Sequence, residues 1–279
     1  ATAQSAGKGR GTVAEVYERI AEDLNAALEL LEGCGIAQDH PSHLDRYAVA
    51  LLKARVALVR HDWKAAEDCS AIAMSKPGCR MLALEEASVS VGKTPFNRID
   101  SPNVLWGMEI LPTQTTWYGS FYSQMDARTE TYYGAEAPKC ISAWLYEQIP
   151  GSDVRKSWWN GDIGKPVSSW GRGADLDYCQ NKFQWNDETT GTGDYIYMRM
   201  EEACLINAEA LCRQQKYAEA AAAILELENR RDSKADVRLI GGKTGDTQTF
   251  ASVGNLADGS LLDEILFQRR VKLWGEMPR

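Results

Sequence analysis

The amino-acid sequence predicts a mainly α-helical protein: a frame of antiparallel helical hairpins that carries a large loop-rich insert with a few short strands. Three observations predict it. Apolar residues recur at helical spacing towards both ends of the chain, short turns join two pairs of such segments, and Gly, Pro, Asn, Asp and Ser cluster between the pairs.

Val13, Val16, Tyr17, Ile20, Leu24, Ala27, Leu28 and Leu31 repeat as one face of a helix, so a helix is expected over Thr12 to Leu31. Thr12 with Glu15 forms a capping box at its start, and Gly33 follows its end. A loop through His40-Pro41 leads to a second helix from about Leu44 to Val59. The short His61-Asp62 turn opens a third, Trp63 to Met74, which stops before Pro77-Gly78. Further on, Tyr195 to Cys212 reads as a helix, Gln214-Gln215 as a turn and Tyr217 to Arg231 as the returning helix. A final helix is expected from Leu261 to about Trp274, capped by Ser260 with Asp263.

The two hairpins share a detail. Trp63 and Tyr217 each open the second helix, and Ala66 and Ala220 follow three residues later, where the helices must approach closely. A large ring followed by a small residue is the pattern of tetratricopeptide-type hairpins. The copies lie too far apart for a tandem array. Residues 12–75 and 195–279 thus form the expected frame, and residues 76–194 the insert. Within the insert, Val104 to Ile110 is expected as a strand, Cys179 to Trp185 as a second, and Ala137 to Gln148 as a short helix. Long irregular segments inside a compact domain are usually functional.

Composition excludes several classes. A formal net charge of −8 argues against a general nucleic-acid binder, which needs Lys and Arg to displace counterions. No run approaches the roughly 18 apolar residues of a membrane span. Ala1 to Gly11 is small, polar and glycine-rich, unlike a signal peptide. The chain is therefore expected to be either a form with its targeting segment removed or part of a longer protein. Seven cysteines show neither a CxxC pair nor a regular disulfide framework, and Cys204 and Cys212 read as small buried residues.

Catalytic and cofactor motifs fail on spacing. Gly242-Lys243-Thr244 ends like a phosphate-binding loop, but the first glycine of that motif would fall on Val237. His40 and His43 have no cysteines at zinc-ligand spacing, and Asp162, Asp175, Asp177 and Asp187 lack calcium-loop spacing. No GxSxG or HExxH is present. No catalytic residue, metal or cofactor is expected, and the protein is read as a binding protein and not an enzyme.

Nine Trp and eleven Tyr against five Phe point to rings that keep a polar handle and stay partly exposed. Most sit in the insert among Gly, Ser, Asn, Thr and Asp. Sugar rings present apolar C–H faces that stack on aromatic planes, while their hydroxyls need polar side chains. Trp117, Tyr118, Tyr122, Tyr132, Trp158, Trp159 and Trp170 are the expected ligand-binding residues. Trp63, Trp144, Trp185 and Trp274 fall at helix or strand positions and read as core. Arg199 and Glu202 read as a helix-surface pair, and Arg269 and Arg270 with Glu276 as ties for the last helix.

With these segments placed, the chain resembles the SusD/RagB family of surface nutrient-capture lipoproteins. Val16 to Ala27 resembles the helix before the family's middle repeats, Ser101 to Ile110 its strand, and Asp153-Val-Arg155 its D-x-R. Tyr197-Met-Arg199-Met-Glu-Glu202 through Ala210 is similar to its Y-x-R-L-A-E helix. Leu262 to Arg279 is similar to its E-R-x-x-E-L-x-x-E-G-x-R signature, with Phe267-Gln268 where an acidic residue is usual. Members carry an N-terminal lipidation cysteine and an earlier helical region, and continue beyond the arginine matched by Arg279. The resemblance implies one SusD-like domain, incomplete at both ends. It also implies an outer-membrane, surface-exposed, lipid-anchored location, a SusC-like TonB-dependent transporter as partner, and an oligosaccharide held in the loops. Peptide capture, or a helical scaffold with its aromatics buried, are the alternatives.

Overall fold

The structure, a computed structural model, describes residues 9–35, 39–129, 133–166, 173–235, 240–249 and 256–276. These residues form a mainly helical protein with nine α-helices and one two-stranded sheet among them.

Helix α1 (Val13–Gly33) starts where its cap predicts: the Thr12 hydroxyl accepts from Glu15 N at 3.2 Å, and the Glu15 carboxylate accepts from Thr12 N at 2.7 Å. Helices α2 (Arg46–Val59) and α3 (Trp63–Met74) begin at Asp45 and Asp62, whose carboxylates accept from Ala48 N at 2.8 Å and Ala65 N at 3.1 Å. The insert contributes three short helices, α4 (Phe121–Met125), α5 (Tyr133–Glu136) and α6 (Ala143–Glu147). Helices α7 (Met200–Arg213) and α8 (Tyr217–Asn229) form the second hairpin, and α9 (Leu261–Lys272) starts at the Ser260–Asp263 capping box. The two hairpin turns match: His61 and Gln215, each just before the returning helix, adopt φ of 60° and 63°.

Helix α7 runs through the middle of the frame against α3, α8 and α9 and is buried over nearly its whole surface. Ala50, Ala54, Ala66, Ala73, Ala203, Ala208 and Ala220 are fully buried between the helices. Ala66 and Ala220 therefore sit at the close approach that their spacing predicts. Helix α1 differs, because Leu24 is its one buried residue, Val13 and Val16 are exposed and the rest of its apolar stripe is only half-buried. No described helix is long and apolar enough to cross a membrane.

Three expected elements change. Tyr195–Arg199 is not the first turn of a helix but a strand, β2, antiparallel to β1 (Val104–Met108). Its Tyr-Ile-Tyr-Met run satisfies both periods, and pairing decides. Gly107 faces Ile196 so closely that a Cβ there would lie 2.7 Å from the Tyr195 carbonyl oxygen. Cys179 to Trp185 forms no strand beyond single bridges, Cys140 to Cys179 and Trp159 to Gln180. Pro138 lies in the stretch expected as one helix from Ala137 to Gln148, which narrows to α6 and leaves α5 separate.

The insert owns a second, aromatic core. Phe96, Tyr122, Trp158, Trp159, Phe183 and Trp185 pack there with Phe267 and Val271 of α9, which fastens the insert to the frame. Each ring taken out of water contributes about 2–3 kcal/mol.

Beneath that core lies a buried charge network. Glu201 pairs with Arg231 at 2.7 Å, Lys272 at 3.3 Å and Arg199 at 3.4 Å, and accepts from Asn103 at 2.7 Å. Burial alone would raise the Glu201 carboxyl, but Lys272, Arg199 and Arg231 together hold it well below the usual carboxylate range. Glu276 joins Arg199 to Lys182, whose ammonium also donates to the Lys272 and Trp274 carbonyls at 2.9 Å each. Arg199 and Glu202 are thus not a surface pair: Arg199 is buried against Glu276, and Glu202 pairs with Arg55 of α2. Arg269 and Glu276 do tie the last helix to its neighbours, Arg269 to Glu209 of α7 at 3.3 Å and Glu276 to Arg199 and Lys182, while Arg270 is exposed.

Candidate ligand-binding face

The segment 117–122 organises the candidate site. Ser120 caps α4 by accepting from Ser123 N at 3.1 Å, which turns the chain so that Trp117 and Tyr118 precede the helix and Phe121 and Tyr122 enter it. Tyr118 is 66% exposed and Tyr133 51% exposed, and their rings meet edge to face at 6.5 Å. Trp117 is half-buried beside Trp185 at 6.1 Å, with its ring against Gly191, where a Cβ would approach to 3.2 Å. Gly191 has φ of 67°, so this turn needs glycine twice over, for its backbone and for the ring.

Three expected binding rings are corrected. Tyr122, Trp158 and Trp159 are 1%, 0% and 3% exposed and cannot stack on a ligand from solvent. Tyr122 donates to the Phe96 or Asp194 carbonyl at 2.9 and 2.7 Å, and Gly193 leaves room for its ring, since a Cβ would fall 2.6 Å away. The Trp158 indole donates to the Ala87 carbonyl at 2.7 Å, and Trp159 meets Trp274 edge-on at 5.5 Å. Tyr132 and Trp170 lie outside the described residues. Conversely Trp144, expected in the core, is exposed on α6, whereas Trp185 is buried.

A cavity of about 490 Å³ opens beside this segment. Its walls include the rings of Phe96, Phe121, Phe183 and Tyr195, with Trp106 and Tyr197 from the β1–β2 ribbon. Tyr195 is held by accepting from Phe121 N at 3.2 Å. The charged side chains in the lining are already matched: Arg55 grips Glu202 through two hydrogen bonds of 2.6 Å, and Arg199 grips Glu276. The cavity therefore offers mainly ring surface, and the Tyr118–Tyr133 ledge outside it offers rings with hydroxyls. Trp106, Tyr195 and Tyr197 share this wall with three of the five phenylalanines, so neither ring type alone marks the cavity in the sequence.

The polar loops serve structure. Asp177, buried, accepts from Ile163 N at 2.7 Å and Lys165 N at 2.9 Å, and Lys243 of the Gly-rich turn donates to the Leu256 carbonyl at 2.7 Å and pairs with Glu264. Among the described residues no three His, Cys, Asp or Glu side chains are grouped to hold a metal ion.

No protein-family model matches the chain, and no curated protein matches it significantly. Solved structures do. A SusD-like carbohydrate binding protein from Bacteroides vulgatus is 26% identical with a TM-score of 0.69, over 99% of this chain and 52% of its own. A SusD superfamily protein from Bacteroides thetaiotaomicron is 17% identical with a TM-score of 0.63, over 96% and 54%. Surface glycan-binding protein A from Bacteroides uniformis is 14% identical with a TM-score of 0.60, over 96% and 56%. The last two show the fold alone. The chain spans about half the length of the structures it matches. The chain, with its paired hairpins, central α7 and loop-rich insert, shares the fold of these SusD-like proteins.

Proposed function

We propose that this chain is the ligand-holding part of a non-enzymatic surface protein that captures oligosaccharides for a SusC-like TonB-dependent outer-membrane transporter. The observation that carries the reading is the exposed Tyr118–Tyr133 pair, with Trp117 beside it, on the loop face of the insert. Rings with an apolar face and a hydroxyl suit a sugar, which stacks through C–H groups and hydrogen-bonds at its edge. The similar proteins described as carbohydrate binding and glycan-binding support a sugar over other ligands. Transfer to a transporter and a lipid-anchored outer-membrane location rest on the family resemblance. No catalytic pair is assigned, and the family neighbours are described as binding proteins.

Tryptophan fluorescence across a panel of oligosaccharides and peptides tests the reading. Quenching by glycans supports it. Binding of peptides alone would replace the sugar with a peptide, a ligand whose apolar side chains fit the ring-lined cavity.

A further inference from the structure

We propose that Cys140 and Cys179 form a disulfide site: a dithiol that closes by exchange with a low-molecular-weight disulfide such as oxidised glutathione. The two residues are partners in an isolated antiparallel bridge. The hydrogen bonds on either side, Ile141 N to the Tyr178 carbonyl at 3.1 Å and Gln180 N to the Lys139 carbonyl at 2.9 Å, belong to their neighbours. The cysteines are therefore a non-hydrogen-bonded pair, the register in which Cα atoms approach to about 4.5 Å and both side chains leave on the same face. A disulfide spans roughly 4.4–6.8 Å between Cα atoms, so closure needs no movement of the backbone.

The surroundings give the two sulfurs different roles. Cys140 is half-buried, at the solvent edge of a small cluster with Ala127, Leu176 and Ala174, while Cys179 is fully buried within it. A hydrogen bond from the Cys179 thiol holds the Cys140 thiol below its ordinary range, helped by Lys139, and the same bond with burial raises Cys179. Cys140 is thus the attacking thiolate and Cys179 the resolving thiol. Cys140 Sγ forms a bond to one sulfur of the oxidant as the oxidant's S–S bond breaks, and the departing thiolate takes a proton. Cys179 then gives up its proton and attacks Cys140 Sγ, expelling the second thiolate, which is protonated in turn. Two protein thiols are oxidised and one external disulfide is reduced to two thiols.

The remaining five cysteines, all described and free, have no such arrangement: Cys69, Cys204 and Cys212 are buried in the frame, Cys34 is exposed beyond α1, and Cys79 is half-buried with its thiol raised to about 11 by burial. Closure would tie the segment carrying Cys140, just after α5 and Tyr133, to the segment holding Leu176 and Cys179.

The test treats the full chain with oxidised glutathione, alkylates what remains, and maps tryptic peptides without reduction. The expected product is a cross-link between Cys140–Arg155 and Gly173–Lys182, with a mass about 2 Da below the sum of the free peptides. Cys179→Ser should instead accumulate a stable glutathione adduct on Cys140, whereas Cys140→Ser should leave Cys179 unmodified. Alkylation of both residues after oxidation, or cross-linking through Cys34 in their place, overturns the proposal.

Discussion

The Arg199 guanidinium donates to Glu276 Oε2 at 2.9 Å through Nε and 2.6 Å through a terminal nitrogen, and so fastens the end of β2 to the residues beyond α9. The same carboxylate accepts from Lys182 of the insert, so one acidic side chain joins strand, frame and loop face. Removing it leaves buried Lys182 with carbonyls alone and buried Arg199 with only the longer contact to Glu201. Glu276→Ala is expected to cost about 3–5 kcal/mol, read as a lower urea midpoint, because an unpaired buried charge is far costlier than a lost surface pair. A cost under 1 kcal/mol would show that these cations reach water.

Lys182 carries a pH signature. Its ammonium is buried among Phe96, Trp158 and Phe183, 4.9 Å from each ring centre, and burial brings it down to about 8 against the opposing pull of Glu276. Between about pH 8 and the unfolded value of 10.5 the unfolded chain holds a proton that the native state has released, so this group makes stability rise with pH in that window. Relative to Lys182→Met, the wild type should gain on the order of 2–3 kcal/mol between pH 7.5 and 10.5, measured by urea denaturation at both ends. A flat difference would mean that Lys182 titrates normally.

Gly193 sets the position of Tyr122. A methyl group there would meet the ring at 2.6 Å, and the ring has hydrogen bonds to the Phe96 and Asp194 carbonyls to lose. Gly193→Ala should destabilise by about 1–3 kcal/mol with a changed near-ultraviolet circular dichroism spectrum. An unchanged spectrum would place Tyr122 elsewhere.

Ala220 tests the hairpin pattern. It is fully buried where α8 crosses α7, so Ala220→Leu should overpack the contact and cost about 1–3 kcal/mol in thermal or urea unfolding. Indifference to the larger side chain would remove the reason for pairing Tyr217 with a small residue.

These tests divide along what the residues themselves make legible. The frame was readable because local chemistry determines it: Thr12, Ser260 and the acidic caps stop and start helices wherever the rest of the chain goes, and Ala66 and Ala220 announce a close contact. β2 was not, because whether Tyr195–Arg199 is strand or helix depends on Val104–Met108, far away in the chain. Tyr122, Trp158 and Trp159 were misplaced for the same reason. Their loop neighbours look exposed, yet Ala87, Phe96 and Trp274 arrive from distant segments and bury them. Composition and position pick out Trp117 and Tyr118, whereas the other ring of the ledge, Tyr133, is not among the expected binding residues.

In the proposed function the exposed rings of that ledge hold the sugar. Isothermal titration of the glycan that quenches the wild type, repeated on the double variant Tyr118→Ala with Tyr133→Ala, tests it most directly. Loss of two aromatic anchors should weaken binding by roughly 30-fold or more, about 2 kcal/mol, with the unfolding midpoint unchanged because both side chains are exposed. Wild-type affinity in the double variant would contradict the claim and move the ligand to another surface.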